Sequence, residues 1–326
     1  MTRLLLSATI LRQKLRLIHQ LRLQRRYPQV NYKSSDGIGL GDYDNDGDLD
    51  IFVTTSTLTP PQSTDVFYRN EGNGVFTGVT QQAGLWREGF DKDAFFWDYD
   101  NDGHLDLFIH SWPTYAAGKT SVLYRNNGDG TFTDVTKPAG IAPLEVDSSG
   151  ANYGDYDNDG WLDLCITYHS SPTYLYHNNG DGTFTEVSKE AGIDGTNSGT
   201  VSFLDYDNDG DLDLFTGQSP IGSADLMIKL YRNNSTPNRW LQLKLVGVKS
   251  NRDAIGARIK VKAGELTMLR EVAECSGGWY GNKQDRLPVH IGLGQNSQAD
   301  VIEIRWPSGT VDVLRDVPAD QLVEVK

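Results

Sequence analysis

Four short stretches of the chain crowd carboxylates together at a spacing suited to capturing a cation. They read GDYDNDGDLDIFV (41–53), WDYDNDGHLDLFI (97–109), GDYDNDGWLDLCI (154–166) and LDYDNDGDLDLFT (204–216). Each has the form D-x-D-x-D-G-x-x-D. Aspartates at positions 1, 3 and 5 converge when the chain curls, and glycine at position 6 permits the sharp turn. The carboxylates are Asp42, Asp44, Asp46 and Asp50; Asp98, Asp100, Asp102 and Asp106; Asp155, Asp157, Asp159 and Asp163; and Asp205, Asp207, Asp209 and Asp213. The backbone carbonyls at position 7, those of Asp48, His104, Trp161 and Asp211, can complete an oxygen cage. Such carboxylates repel one another unless a cation sits between them. Oxygen-only ligation favours calcium over zinc or copper, and over magnesium, which keeps several of its waters. About four calcium ions are therefore expected, one for each loop. A solvated Asp/Asn/Gly turn would explain one isolated copy, but not four with the same aspartates.

The elements that must hold these loops are strands. An EF-hand is excluded, because loop position 12 is Val53, Ile109, Ile166 or Thr216 in place of a bidentate Glu. After each glycine the apolar residues alternate: Leu49, Ile51 and Val53 on one face, Asp50 and Phe52 on the other. Both faces are apolar beyond the aspartate, so each small sheet must be covered on two sides. A second half-unit follows the first three loops, at 67–85, 123–141 and 175–193, and its fourth copy begins LYRNN at Leu230 and then departs. NNGDG at 126–130 marks it as a hairpin. The first aspartates are 56, 57 and 50 residues apart, and a repeat of four short strands at that period is a propeller blade in length and content.

From Asn238 onward the pattern changes. Alternating runs at 240–246, 257–263, 267–273, 301–306 and 310–314 read as strands without a βα rhythm, which points to a small antiparallel sandwich.

The loops and hairpins of residues 36 to 234 resemble the FG-GAP family of calcium-binding blades, integrin α-chain-like and also called VCBS-like. The resemblance implies that the aspartates at loop positions 1, 3, 5 and 9 and the position-7 carbonyl hold the ion in every loop. Propellers of that family usually close with more blades than the four counted here. The stretches 238–264, 290–295 and 304–314 resemble the ASPIC/UnbV domain, a companion of such repeats in secreted cartilage acidic proteins and in many bacterial proteins. The segment CSGGWYGNKQD (275–285) departs from that family's usual pattern. The expected architecture is all-β: a basic segment, helical or disordered, over 1–35; a propeller-like array of about four blades over 36–237, either an incomplete propeller or one whose ends residues 1–35 and further strands help cover; and an ASPIC/UnbV β domain over 238–326.

Composition narrows the function. The chain has 326 residues, 38 % of them apolar, enough for two packed domains. Its net charge of −14 makes nucleic acid a poor partner. Residues 1–35 hold eight bases and no acid, and three readings stay open there: an amphipathic capping helix, a misplaced start or truncated domain, or an export or membrane-surface segment. No apolar run reaches membrane-spanning length. Cys165 takes the slot held by Phe52, Phe108 and Phe215 in the other repeats and is expected as a buried core thiol; Cys275 is expected to be free. His110 and His169 follow equivalent strands, and a surface or structural role is expected for both. The stretch 277–280, Gly-Gly-Trp-Tyr, reads as a turn. No nucleophile elbow, phosphate loop, zinc-protease motif or dinucleotide fingerprint is present. The expectation is a calcium-binding, secreted, periplasmic or cell-surface scaffold that meets a protein or glycan. The alternative is an enzyme or accessory protein of bacterial natural-product biosynthesis, implied by the UnbV resemblance.

Overall fold

The computed structural model describes residues 35–55, 64–87, 89–112, 120–142, 148–168, 171–193, 199–218, 227–234, 237–273 and 288–326. The basic opening segment up to residue 34, His169, Cys275 and the stretch 277–280 lie outside the described residues.

The repeats fold as four small antiparallel sheets. Blade 1 contains β1 (Ser35–Gly41), β2 (Asp50–Thr55), β3 (Val66–Asn70) and β4 (Phe76–Gly78). Blade 2 contains β5 (Asp91–Trp97), β6 (Asp106–Ser111), β7 (Val122–Asn126) and β8 (Phe132–Asp134). Blade 3 contains β9 (Ser148–Gly154), β10 (Asp163–Tyr168), β11 (Tyr174–Asn178) and β12 (Phe184–Glu186). Blade 4 has three strands among the described residues: β13 (Thr200–Leu204), β14 (Asp213–Gln218) and β15 (Met227–Tyr231). In every blade the carboxylate loop joins the first strand to the second.

The two-faced apolar pattern is what stacks the blades. Phe52 and Phe67 of blade 1 pack with Ala94, Phe96, Leu107 and Ile109 of blade 2. Phe108 and Leu123 of blade 2 pack with Ala151, Leu164 and Ile166 of blade 3. Cys165 and Leu175 of blade 3 pack with Val201, Phe203 and Leu214 of blade 4. Cys165 is fully buried, as its slot in the repeat predicts. On blade 4 the matching register pair is Phe215 and Leu230, and here the series stops: Leu230 is 46 % and Ile228 54 % exposed. The array is thus a propeller-like arc whose last face has no fifth blade against it among the described residues.

The C-terminal region forms two further sheets. One orders β19 (Val289–Gly294), β16 (Arg239–Leu245) and β22 (Gln321–Val325). The other orders β18 (Leu266–Glu271), β17 (Arg258–Ala263), β20 (Gln298–Arg305) and β21 (Val311–Pro318). Leu241, Leu243, Ile259, Val261, Ile291, Leu293, Ile302 and Ile304 fill the space between them. One pairing departs from the antiparallel expectation, because β22 runs parallel to β16. The chain changes sheets after Pro318 through Asp320 (φ 60°), whose N–H donates to the Trp240 carbonyl at 2.7 Å, and enters beside β16 in the same direction. Among the described residues no helix is long and apolar enough to cross a membrane.

Candidate metal centres

All four loops are built alike. The asparagine at position 4 takes a left-handed conformation, with φ 64° at Asn45, 52° at Asn101, 59° at Asn158 and 61° at Asn208. The glycine at position 6 follows at φ 98°, 88°, 96° and 93°. Asparagine tolerates the first conformation and glycine alone adopts the second without strain, so the N-D-G triplet enforces the curl.

The curl turns backbone N–H groups onto two of the carboxylates. At position 1, Asp42 accepts from Asp46 N (3.0 Å) and Gly47 N (3.1 Å), and Asp98 and Asp155 repeat both bonds. Asp205 accepts from Gly210 N at 3.2 Å. At position 9, Asp50 accepts from Tyr43 N (3.1 Å) and Asn70 N (2.8 Å), tying the loop to the third strand. Asp106, Asp163 and Asp213 do the same. At position 5, Asp46, Asp102, Asp159 and Asp209 each accept from the position-7 N–H, at 2.8–3.1 Å.

Position 3 is different. One oxygen of each residue, Oδ1 of Asp44, Asp100, Asp157 and Asp207, is shielded from solvent and has no hydrogen-bond donor. A shielded anionic oxygen with no donor is costly, and a cation bound between the carboxylates removes that cost. The residues therefore fit a hard divalent ion. Carboxylate oxygens of Asp42/Asp44/Asp50, Asp98/Asp100/Asp106 and Asp205/Asp207/Asp213 lie within 4.8 Å of one another, the position 1, 3 and 9 members of loops 1, 2 and 4. Loop 3 groups Asp155/Asp157/Asp159, and a second trio joins Asp157 and Asp163 to His177. Asp46, Asp102 and Asp209 stand outside the trios. Burial, with neighbouring carboxylates adding to it, pushes Asp50 up to about 8 and Asp98 and Asp163 to about 7, and holds Asp106 and Asp155 well above the carboxylate range. Carboxylates so perturbed gain most from a bound cation.

The position-7 side chains lie off the cages. Asp48 sits beside Gly72, and Trp161 lies against Gly180. His104 Nδ1 is 3.0 Å from Asn45 Nδ2, and Asp211 Oδ1 accepts from Asn158 Nδ2 at 2.9 Å.

Two sets of asparagines escaped the sequence reading. The position-4 asparagines join neighbouring loops: Asn45 donates to the Gly103 carbonyl (3.3 Å), Asn101 to Gly160 (3.1 Å) and Asn158 to Gly210 (3.1 Å). The asparagines at or just beyond the end of the third strand in blades 2, 3 and 4 reach back one blade: Asn126 to the Tyr43 carbonyl (2.9 Å), Asn178 to Tyr99 (2.8 Å) and Asn233 to Tyr156 (2.7 Å). Their signal was the invariance of N in D-Y-D-N-D-G and in the Y-[RH]-N half-unit across the repeats.

The C-terminal sheets dock on this same loop surface. Arg258 pairs with Asp42, Gln242 Nε2 donates to Asp205 Oδ2 at 2.8 Å, and Gly292 N donates to Asp155 Oδ2 at 3.0 Å. Arg270, 6 % exposed, donates to the Gly160 carbonyl at 3.1 Å, and its charge faces Asp98 and Asp155. Each loop thus has a C-terminal group at or facing its first aspartate.

Family models match both the repeats and the C-terminal sheets. The FG-GAP-like repeat model matches residues 42–109, 98–166 and 155–216, and the ASPIC and UnbV model matches 247–326. Cartilage acidic protein 1 of Mus musculus is 23 % identical over 307 residues, and that of Homo sapiens 22 %. These matches take in 90 % of this chain but 45 % and 44 % of the relatives, so the chain spans less than half their length. Among solved structures, BBS1N in complex with ARL6DN superposes with a TM-score of 0.39 at 9 % identity, covering 88 % of this chain and 94 % of that one. The Vibrio cholerae biofilm matrix protein Bap1 does so at 0.30 and 13 %, covering 86 % and 48 %. Scores so low carry no argument about function. With its repeats matched over more than half its length, the chain belongs to the FG-GAP-like repeat family and carries an ASPIC and UnbV domain at its C-terminal end.

Proposed function

We propose that this chain is a calcium-stabilised scaffold for protein or glycan interaction outside the cytosol. The observation that carries the reading is the set of four shielded, donorless oxygens, on Asp44, Asp100, Asp157 and Asp207. Asp42, Asp44, Asp50 and their counterparts would hold the ion. Bound calcium would supply the positive charge that lets these carboxylates approach without repulsion. The chain's own contribution is the geometry: N-D-G turns curl the loops, position-9 aspartates pin them to the third strands, and asparagines link each loop to the next. Extracellular oxygen-ligand modules bind calcium at roughly 10⁻⁴ to 10⁻³ M, which suits an exported protein. The repeat family and the relatives named cartilage acidic protein favour that location. Exposed inter-strand loops and the C-terminal sheets are the surfaces that would meet the partner.

Isothermal titration of the full chain with calcium, paired with thermal unfolding in calcium, magnesium and EGTA, tests this. Several equivalents of calcium should bind, and unfolding should shift upward with calcium and fall back in EGTA. No uptake at millimolar calcium would overturn the proposal.

A further inference from the structure

Blade 4 differs from its sisters in how its third strand is finished. In blades 1, 2 and 3 a glycine-rich turn sends the chain back as a fourth strand of the pattern Phe-Thr-x-Val-Thr/Ser, at 76–80, 132–136 and 184–188. Blade 4 keeps only the start of that turn, Asn233 and Asn234. Residues 237 and 238 already lead into β16 of the sandwich, and Asn238 Nδ2 donates to the Asp157 carbonyl at 2.8 Å. No fourth strand pairs with β15 among the described residues.

A fourth strand makes three kinds of contact in the sister blades, and blades 3 and 4 keep the receiving half of each. The first runs along the third strand. Val79 N donates to the Phe67 carbonyl, Val135 N to Leu123 and Val187 N to Leu175, at 2.8–2.9 Å. In return Phe67 N, Leu123 N and Leu175 N donate to the hydroxyls of Thr80, Thr136 and Ser188, at 2.7–3.0 Å. Leu230 holds that position on β15, opposite Phe215, and no described residue meets its N–H or carbonyl.

The second contact reaches the blade before. Phe132 N donates to the Ala83 carbonyl at 2.9 Å, and Phe184 N to Ala139 at 2.8 Å. Ala191 is their counterpart in blade 3, exposed where Ala83 and Ala139 are buried. A methyl group at the following glycine would meet Phe132 O at 3.3 Å from Gly84 and Phe184 O at 2.7 Å from Gly140, but nothing within 4 Å from Gly192. The third contact is aromatic. The Phe132 ring stacks on Tyr43 at 5.9 Å and the Phe184 ring on Tyr99 at 5.7 Å, and both tyrosines are buried. Tyr156 is tied to Asn233 as Tyr43 is to Asn126, yet it stays partly exposed.

We propose that the outer edge of blade 4 is an acceptor for an extended strand of the pattern Phe-x-x-Val-Thr/Ser, supplied by another polypeptide, which completes the blade by strand addition. That strand would be the protein partner of the scaffold proposed above, a reading this one rests on, and its seat needs no ion. A second copy of this chain is a poor donor. Its Phe132 and Phe184 are 6 % and 5 % exposed and its Val79 3 %, so lending such a strand would dismantle a blade.

The test titrates a fluorescein-labelled peptide of the chain's own sequence GDGTFTDVT (128–136) with the full chain in millimolar calcium, read by anisotropy. One peptide per chain should bind saturably. Phe132→Ala in the peptide should weaken binding at least about tenfold, because the ring loses its place on Tyr156. Leu230→Pro in the chain should weaken it by a similar factor. Proline is tolerated on a strand edge whose N–H bonds to nothing in the blade. Thermal unfolding verifies that this variant folds, and the altered peptide keeps the test decisive if it does not. No saturable binding up to millimolar peptide, equal binding of the two peptides, or full binding by a folded Leu230→Pro overturns the proposal. So does a wild type that sediments as a dimer and excludes the peptide, which would give the edge to a second copy. Peptide bound without calcium uptake would sink the calcium reading and leave this one standing.

Discussion

The Arg258 guanidinium, on a strand of the C-terminal sandwich, lies 2.5 Å from the Asp42 carboxylate, 216 residues earlier in the chain. Glu271 completes the contact: it accepts from Asp42 N at 3.3 Å and lies 3.8 Å from Arg258 Nε. The side chains of Arg258, Asp42 and Glu271 are 12 %, 3 % and 4 % exposed, so each charge depends on its partners. Arg258→Gln strands two carboxylates face to face and should cost on the order of 3 kcal/mol in EGTA, read by urea unfolding. In calcium the loss should shrink, because an ion in loop 1 neutralises Asp42. An identical loss in both buffers would show that Asp42 does not face the ion.

A second contact between the halves is steric. Gly292 N donates to Asp155 Oδ2, and Gly294 N donates to the Asn158 carbonyl at 2.8 Å. A methyl group at Gly292 would stand 2.1 Å from Asp155 Oδ2 and 2.5 Å from the Asn158 carbonyl carbon. Neither atom is the free end of a flexible chain. Gly292→Ala should destabilise by about 1–3 kcal/mol and lower the affinity of loop 3 for its ion, measured by unfolding and by titration. Wild-type behaviour in both would mean that the sheet does not press on loop 3 in solution.

The loop aspartates, the alternating strands and the core slot of Cys165 were legible in the sequence because each is a local pattern repeated within one chain. What was not legible depends on long-range contacts. Asn45 reads as one more turn residue until its partner, the Gly103 carbonyl, is seen 58 residues on. The parallel pairing of β22 with β16 joins residues 80 apart, and alternation alone gives no strand direction. Docking of Arg258, Gln242 and Gly292 on the loops involves residues that look like ordinary strand and turn positions. The pairing of His177 with Asp157 and Asp163 is likewise hidden, because those residues lie 20 and 14 positions earlier and meet it only when the blade forms.

At the end of blades 1 and 2 away from the ion loops, Asp65 accepts from Thr55 N at 2.8 Å, and its other oxygen is shielded without a donor. Burial first, then the charge of Asp91, holds its pKa well above the ordinary value of 3.8. The folded state thus keeps a proton that the unfolded chain releases above about pH 4, so the contribution to stability falls as pH rises through that window. Asp65→Asn keeps the Thr55 contact and cannot ionise. In EGTA its stability relative to wild type should improve from pH 5 to 8, by up to roughly 1.4 kcal/mol per pH unit. Parallel unfolding curves for the two proteins would refute the assignment.

The repeats also supply an internal control for the open end of the arc. Leu123 in blade 2 and Leu230 in blade 4 occupy the same register slot, opposite Phe108 and Phe215, yet Leu123 is fully buried and Leu230 is 46 % exposed. Leu123→Ala removes a side chain packed against blade 3 and should cost about 2–5 kcal/mol. Leu230→Ala should cost less than about 1 kcal/mol, because little is packed over it. Chemical unfolding of the two variants measures the difference directly. A loss at Leu230 as large as that at Leu123 would show that the last face is covered in solution. Dependence of that loss on protein concentration would then separate a second copy of the chain from a segment of the same molecule.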